Sequence, residues 1–128
     1  MNLSKNLASL ILLALFVTLA GTSIRGEEKP TVINGYVLDS ACAFTKNLKR
    51  PISRECALAC ANAGSPLVIL GEEGSIYWPI SEAMPATGQN QRLMRFAGEK
   101  VRARGKVFER GGSRALVIEH IETASTGR

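Results

Sequence analysis

Three cysteines and a single aspartate are the residues of this 128-residue chain whose types and spacing could do chemistry. Cys56 and Cys60 stand four positions apart, so on a helix they lie one turn above the other on one face. Cys42 precedes them at the end of a segment with strand character. Three chemistries fit this set. A disulfide from Cys42 to Cys56 or Cys60 would close a loop of about 15 residues; loop-closure entropy makes that worth ~3 kcal/mol, a large share of a small domain's ~5–15 kcal/mol. It leaves one cysteine unpaired, and three single bridges are open to three cysteines. A soft-metal site is the alternative, with two thiolates one turn apart and Cys42 converging as a trigonal set for Cu(I) or as three ligands for Zn(II). Thiol redox chemistry is the third, but Cys-x-x-x-Cys lacks the tight turn and helix N-terminal placement that lower the pKa in Cys-x-x-Cys. The bridge is the expectation here.

The remaining polar residues point away from catalysis. Asp39, followed by Ser40, reads as a turn in which its carboxylate accepts from backbone N–H groups further on. His120 is the only histidine and sits beside Glu119 and Glu122, where a surface or structural role is expected. No Ser/His/Asp set, no acids paired at telling spacing and no Gly-rich phosphate loop occur, so the chain is not expected to be an enzyme. Tyr77, Trp78 and Phe108, with Arg92, Arg95, Arg102, Arg104, Arg110 and Arg114, resemble the aromatic and basic surface that binds single-stranded nucleic acid. Export, argued next, opposes that partner. Anionic polysaccharide, lipid headgroups or a protein remain as partners. The expectation is a non-catalytic binding module of unknown ligand centred on Tyr77, Trp78, Arg102 and Arg104, with no cofactor unless Cu or Zn binds the cysteines.

These groups have to be carried by elements. Lys5 and the uncharged run Leu7 to Ala20 read as a secretory signal peptide, residues 1–20, cleaved after Ala20; the run is too short to span a ~30 Å hydrocarbon core. The mature chain then has 15 Lys and Arg against 11 Asp and Glu, about +4, no membrane span, and a periplasmic or secreted location where cysteines oxidise. Residues 21–30 read as a flexible leader and 123–128 as a disordered tail. Between them, Thr31 to Asp39 is β-branched and aromatic and reads as a strand, with Gly35 a bulge or bend. Ser53 caps a helix over 54–63, closed by Gly64 with Pro66 beyond. The segment 43–51 reads as a basic loop. Leu67 to Leu70 and Ser75 to Ile80 form a hairpin that ends near Pro79, and Gln91 to Ala97 a short helix closed by Gly98. Lys100 to Glu109 alternates with Val101, Ala103, Gly105 and Val107 on the core face, and turns at Gly111-Gly112 into a last strand, 114–122.

Five strands in this order, with a helix inserted between strands 1 and 2 and a short helix between strands 3 and 4, are the elements of a small, mainly β, OB-like barrel spanning 31–122. Closure also removes the exposed edges that five short strands would leave. The runs GYVLDSAC (35–42), CALAC (56–60), LVIL (67–70), GEKVRARGKV (98–107) and ALVIEHIE (115–122) resemble a group of small secreted bacterial proteins with an OB-like fold and a D-S-x-C … C-x-x-x-C pattern. The resemblance covers nearly all of the mature domain and implies its fold and compartment, not an activity. Members of that group often carry a His a few residues after the first Cys. Residues 43–46 (AFTK) contain none, which removes a fourth metal ligand.

Overall fold

The computed structural model describes residues 30–46 and 53–125. The expected signal peptide, almost all of the expected leader, part of the 43–51 segment and residues 126–128 lie outside the described residues. No described helix is long and apolar enough to cross a membrane. Strand β1 (Thr31–Asp39) is followed by helices α1 (Ser40–Thr45) and α2 (Arg54–Asn62). The hairpin β2 (Leu67–Gly71) and β3 (Ile76–Pro79) comes next, then helix α3 (Asn90–Leu93) with one 3-10 turn (Met94–Phe96), and the hairpin β4 (Lys100–Arg110) and β5 (Ser113–Thr123). The strands close into a barrel in the order β1-β2-β3-β5-β4, the OB-like fold expected from the element order.

Closure works because β1 serves two neighbours. Its first half pairs with β4 from Thr31 opposite Gly105 to Tyr36 opposite Lys100, and its second half with β2 from Gly35 opposite Gly71 to Asp39 opposite Leu67. Gly35 lies where the two ladders overlap, and a Cβ there would strike the Leu70 carbonyl, so only glycine lets the strands approach this closely. A second adjustment falls in the longest ladder. Arg104 faces His120 but Gly105 faces Ile118, so Glu119 is an extra, bulged residue on β5. The bulge answers a break in the side-chain period: Leu116 and Ile118 point inward two apart, yet the next core residue is Ile121. β5 runs to Thr123, and the Ala124 N–H donates to the Lys100 carbonyl at 2.8 Å, so the ordered chain extends past the expected 122.

The barrel interior is filled by Ile33, Val37, Leu67, Ile69, Tyr77, Val101, Ala103, Leu116, Ile118 and Ile121, with Leu93 and Phe96 from the α3 segment and Ala61 of α2 closing one end. Helix α2 follows its sequence signals. The Ser53 hydroxyl accepts the Cys56 N–H at 3.2 Å, and beyond the helix Ser65 N–H donates to Cys60 and Gly64 N–H to Ala61 with Gly64 at φ +98°, a Schellman closure. Asn90 pins the same end: its Oδ1 accepts Leu67 N–H and its Nδ2 donates to the Ser65 carbonyl, both at 2.8 Å.

One expectation is corrected here. The Asp39 carboxylate does accept a backbone N–H further on, but as the N-cap of α1, with Ser40 its first residue, rather than in a turn, so two helices and not one stand between β1 and β2. The short helix pays out no apolar period because it has only six residues, and this is why a periodicity search passes over it.

Candidate functional site

Helix α1 positions side chains at two places. Inward, it lays Cys42 and Ala43 on the outer faces of β1 and β2, where they join Leu38 and Val68 in a second apolar cluster edged by Tyr36, Leu70, Ile76 and Trp78. The cap sets the helix direction: both Asp39 carboxylate oxygens accept the Cys42 N–H, each at 3.2 Å. Asp39 is 0% exposed, and no buried side-chain polar atom among the described residues lacks a partner.

The electrostatic surroundings of two cysteines include that carboxylate. Burial first, then the hydrogen bond to Asp39 and its negative charge, with smaller repulsions from Cys56 and Cys60, push the Cys42 thiol up from 9.0 to about 11. Cys60 is raised as well, by desolvation first, then by Asp39 and then by Cys56. All three carry free thiols: Cys42 is buried, Cys60 half-buried and Cys56 exposed. The bridge expected from Cys42 to α2 is therefore not present. Nor are the cysteines arranged as the alternative, a Cu or Zn site, would need; among the described residues no three His, Cys, Asp or Glu side chains converge as metal ligands do.

Outward, α1 presents Phe44, 64% exposed, with its ring centroid 6.1 Å from that of Trp78 at an interplanar angle of 33°. The pair forms one wall of an open groove of about 420 Å³ over β3, whose floor and far wall are Gly74, Ser75, Ile76 and the β4–β5 turn, Gly111 to Arg114. Gly111 and Gly112 have φ of +56° and +78°, as a tight two-residue hairpin turn requires, and their missing side chains leave the groove mouth clear. Trp78 also borders a second groove of about 520 Å³, lined by Pro66, Leu67, Pro79 and residues 87–91.

Arg114 at the groove's edge is already occupied. Its Nε pairs with Glu109 at 2.8 Å, Nη1 donates to the Ser75 hydroxyl, and its guanidinium lies 5.9 Å from the Tyr77 ring centroid. The Tyr77 hydroxyl in turn donates to Glu73 at 2.7 Å. Burial pushes the Glu73 carboxyl up, but hydrogen bonds from Tyr77, its own backbone and Ser75, with Arg114 nearby, outweigh it and hold the group below its usual range.

The four residues expected to share one binding face do not. Tyr77 points into the barrel and is 8% exposed, whereas Trp78, one residue on, points out. Arg102 and Arg104 are exposed on β4, opposite Glu122 and His120 of β5, while Trp78 lies opposite Ala115 at the other end of that strand. Arg104 faces Glu119 at 3.8 Å, and His120 is an exposed neighbour of Glu122 at 3.4 Å. Of the expected set, Trp78 alone lines these two grooves among the described residues. Phe44, Ile76 and the Gly111-Gly112 turn were not singled out as binding residues; the visible signals were a bulky aromatic two positions after Cys42 and a Gly-Gly turn. Comparison with known protein families, curated proteins and solved structures gave no match.

Proposed function

We propose that this protein is an exported, non-catalytic binding module that seats an oligosaccharide in the groove between α1 and the β4–β5 turn. OB barrels bind oligosaccharides and oligonucleotides on the face of strands 2 and 3, between the loop after strand 1 and the loop joining strands 4 and 5. This groove has the same two boundaries, since α1 follows β1 and Gly111-Gly112 joins β4 to β5. The observation that carries the reading is Phe44, a large apolar side chain held 64% exposed beside Trp78 at the groove wall. Two aromatic faces suit the C–H face of a sugar ring, while the Ser75 and Ser113 hydroxyls and the turn's backbone suit its hydroxyls. Arg114 is paired with Glu109, which favours an uncharged sugar over a strongly anionic polymer. Export by residues 1–20 completes the reading.

Trp78 is the only tryptophan, so its fluorescence reports on the two grooves it borders, and the Phe44 variant singles out the one beside α1. Titration of the full chain with a panel of neutral and anionic oligosaccharides should give a saturable change with at least one neutral sugar. Phe44→Ala should weaken that affinity at least tenfold, and a double Arg102→Ala, Arg104→Ala variant should leave it unchanged. Binding that ignores Phe44 but needs the two arginines would overturn the proposal, as would no response to any sugar.

A further inference from the structure

Trp78 borders both grooves, and this shared wall joins them. To the groove beside α1, β3 contributes Ile76 and Trp78; to the second it contributes Trp78 and Pro79, after which the lining passes to residues 87–91. The two therefore follow one another along β3, with the half-buried indole between them. We propose that they form one continuous cleft, and that its ligand is a single neutral, linear oligosaccharide chain that crosses Trp78 and places sugar rings on both sides of it. This rests on the sugar-binding reading of the groove beside α1 and extends it to a substrate class, a chain rather than a single ring.

Length is the first argument. From Ile76 to Pro79 the strand rises about 3.3 Å per residue, ~10 Å in all, and the lining continues past both of its ends, to Gly74 on one side and to Gly88 and Gln91 on the other. One pyranose ring cannot cover that distance, whereas linked rings can. Volumes of about 420 and 520 Å³ each fall in the ~300–1,000 Å³ range of small-ligand sites, so each groove has room for rings of its own.

Chemistry is the second. Among the described residues no charged side chain lines the second groove; its polar side chains include the Thr87 hydroxyl and the Gln89 and Gln91 amides, uncharged donors and acceptors that suit ring hydroxyls. The first groove has one charged lining residue, Arg114, and it is paired with Glu109. The far wall is also held in place: Asn90 ties it to Leu67 and Ser65, and the Gln89 amide donates to the Thr87 carbonyl at 3.1 Å, so a chain that settles there has little to order. A peptide suits the cleft less well, because β3 is paired with β2 on one side and with β5 on the other and offers no free edge for another strand to join.

The test is calorimetric titration of the full chain with cello-, malto- and N-acetylated chito-oligosaccharides, each as a series from the monosaccharide to the hexasaccharide. In at least one series affinity should rise at least tenfold from the disaccharide to the hexasaccharide. Nothing lies within 4 Å of the Cβ position at Gly88, so Gly88→Leu adds bulk at the second groove without a backbone clash; it should lower hexasaccharide affinity at least tenfold and so flatten the length dependence. Gln91→Ala, a milder change at an exposed position, should lower hexasaccharide affinity at least threefold. Phe44→Ala should weaken binding at every length. Binding that needs Phe44 but is equal for disaccharide and hexasaccharide overturns the chain and leaves the groove beside α1 as a sugar site, and so does a gain with length that neither Gly88→Leu nor Gln91→Ala reduces. No binding of any saccharide overturns both readings together.

Discussion

Replacing Gly105 with alanine tests the account of how the barrel closes. A Cβ built at Gly105 strikes the Val117 carbonyl oxygen and lies 2.9 Å from that carbonyl's carbon and 3.1 Å from the Ile118 Cα. All three atoms are backbone of the paired strand, so no side chain can rotate away; β4 and β5 must part where the register already shifts around Glu119. Overpacking typically costs ~1–3 kcal/mol, and relief through backbone alone puts this substitution in the upper half of that range. For a domain of this size 1 kcal/mol moves the midpoint by ~4–8 °C, so a fall in Tm of roughly 10–20 °C is expected. Urea unfolding followed by circular dichroism measures it, with the fall appearing in the midpoint at unchanged slope. Gly88→Ala is the control, because nothing lies within 4 Å of its Cβ position. If Gly105→Ala stays within ~0.5 kcal/mol of the wild type, the ladders are looser than described and the close approach is not what fixes the bulge.

Leu93→Ala empties a fully buried position at the closed end of the barrel and should cost ~2–5 kcal/mol in the same assay; a loss under ~1 kcal/mol would mean the α3 segment is not packed into the interior. Asn90→Ala leaves the Leu67 N–H and the Ser65 carbonyl without their partner and should cost ~1–3 kcal/mol; it would be refuted by a change indistinguishable from zero. Alkaline pH should destabilise the reduced protein. The folded chain holds the Cys42 proton up to about 11 and an ordinary thiol releases it near 9.0, so this contribution is complete below pH 9 and is lost as pH climbs toward 11. Thermal melts from pH 8 to 11 should fall more steeply for the wild type than for Cys42→Ser, and parallel curves would contradict the assigned proton.

The sequence carried the fold in residues whose local chemistry and global role agree. Ser53 and Gly64 bracket α2 as caps do, Pro79 ends β3, and the alternation of Val101, Ala103 and Gly105 names the inner face of β4. Two features resisted. Helix α1 is six residues long with no charge pattern at its ends, so its only signal was Asp39, whose side chain suits a turn and an N-cap equally. The bulge at Glu119 shows only as the odd spacing from Ile118 to Ile121. The candidate site suffered most, because sequence neighbours were read as surface neighbours. Tyr77 and Trp78 are adjacent but face opposite sides of β3, and Arg102 and Trp78 sit at opposite ends of β5's ladder. The groove is instead assembled from Phe44, Trp78 and Gly111-Gly112, segments whose meeting only closure of the barrel brings about.

The contact between β3 and β5 is the parallel one, and it rests on three residue pairs, Tyr77–Arg114, Trp78–Ala115 and Pro79–Leu116, against ten between β4 and β5. Joining these two strands draws together ends of a long stretch of chain, so the entropy of that loop must be met before the pairing gives anything back. With only three pairs to hold it, this line is expected to open more readily than the ten-pair β4–β5 ladder, and amide protons of β3 should exchange with solvent before those in the middle of β4.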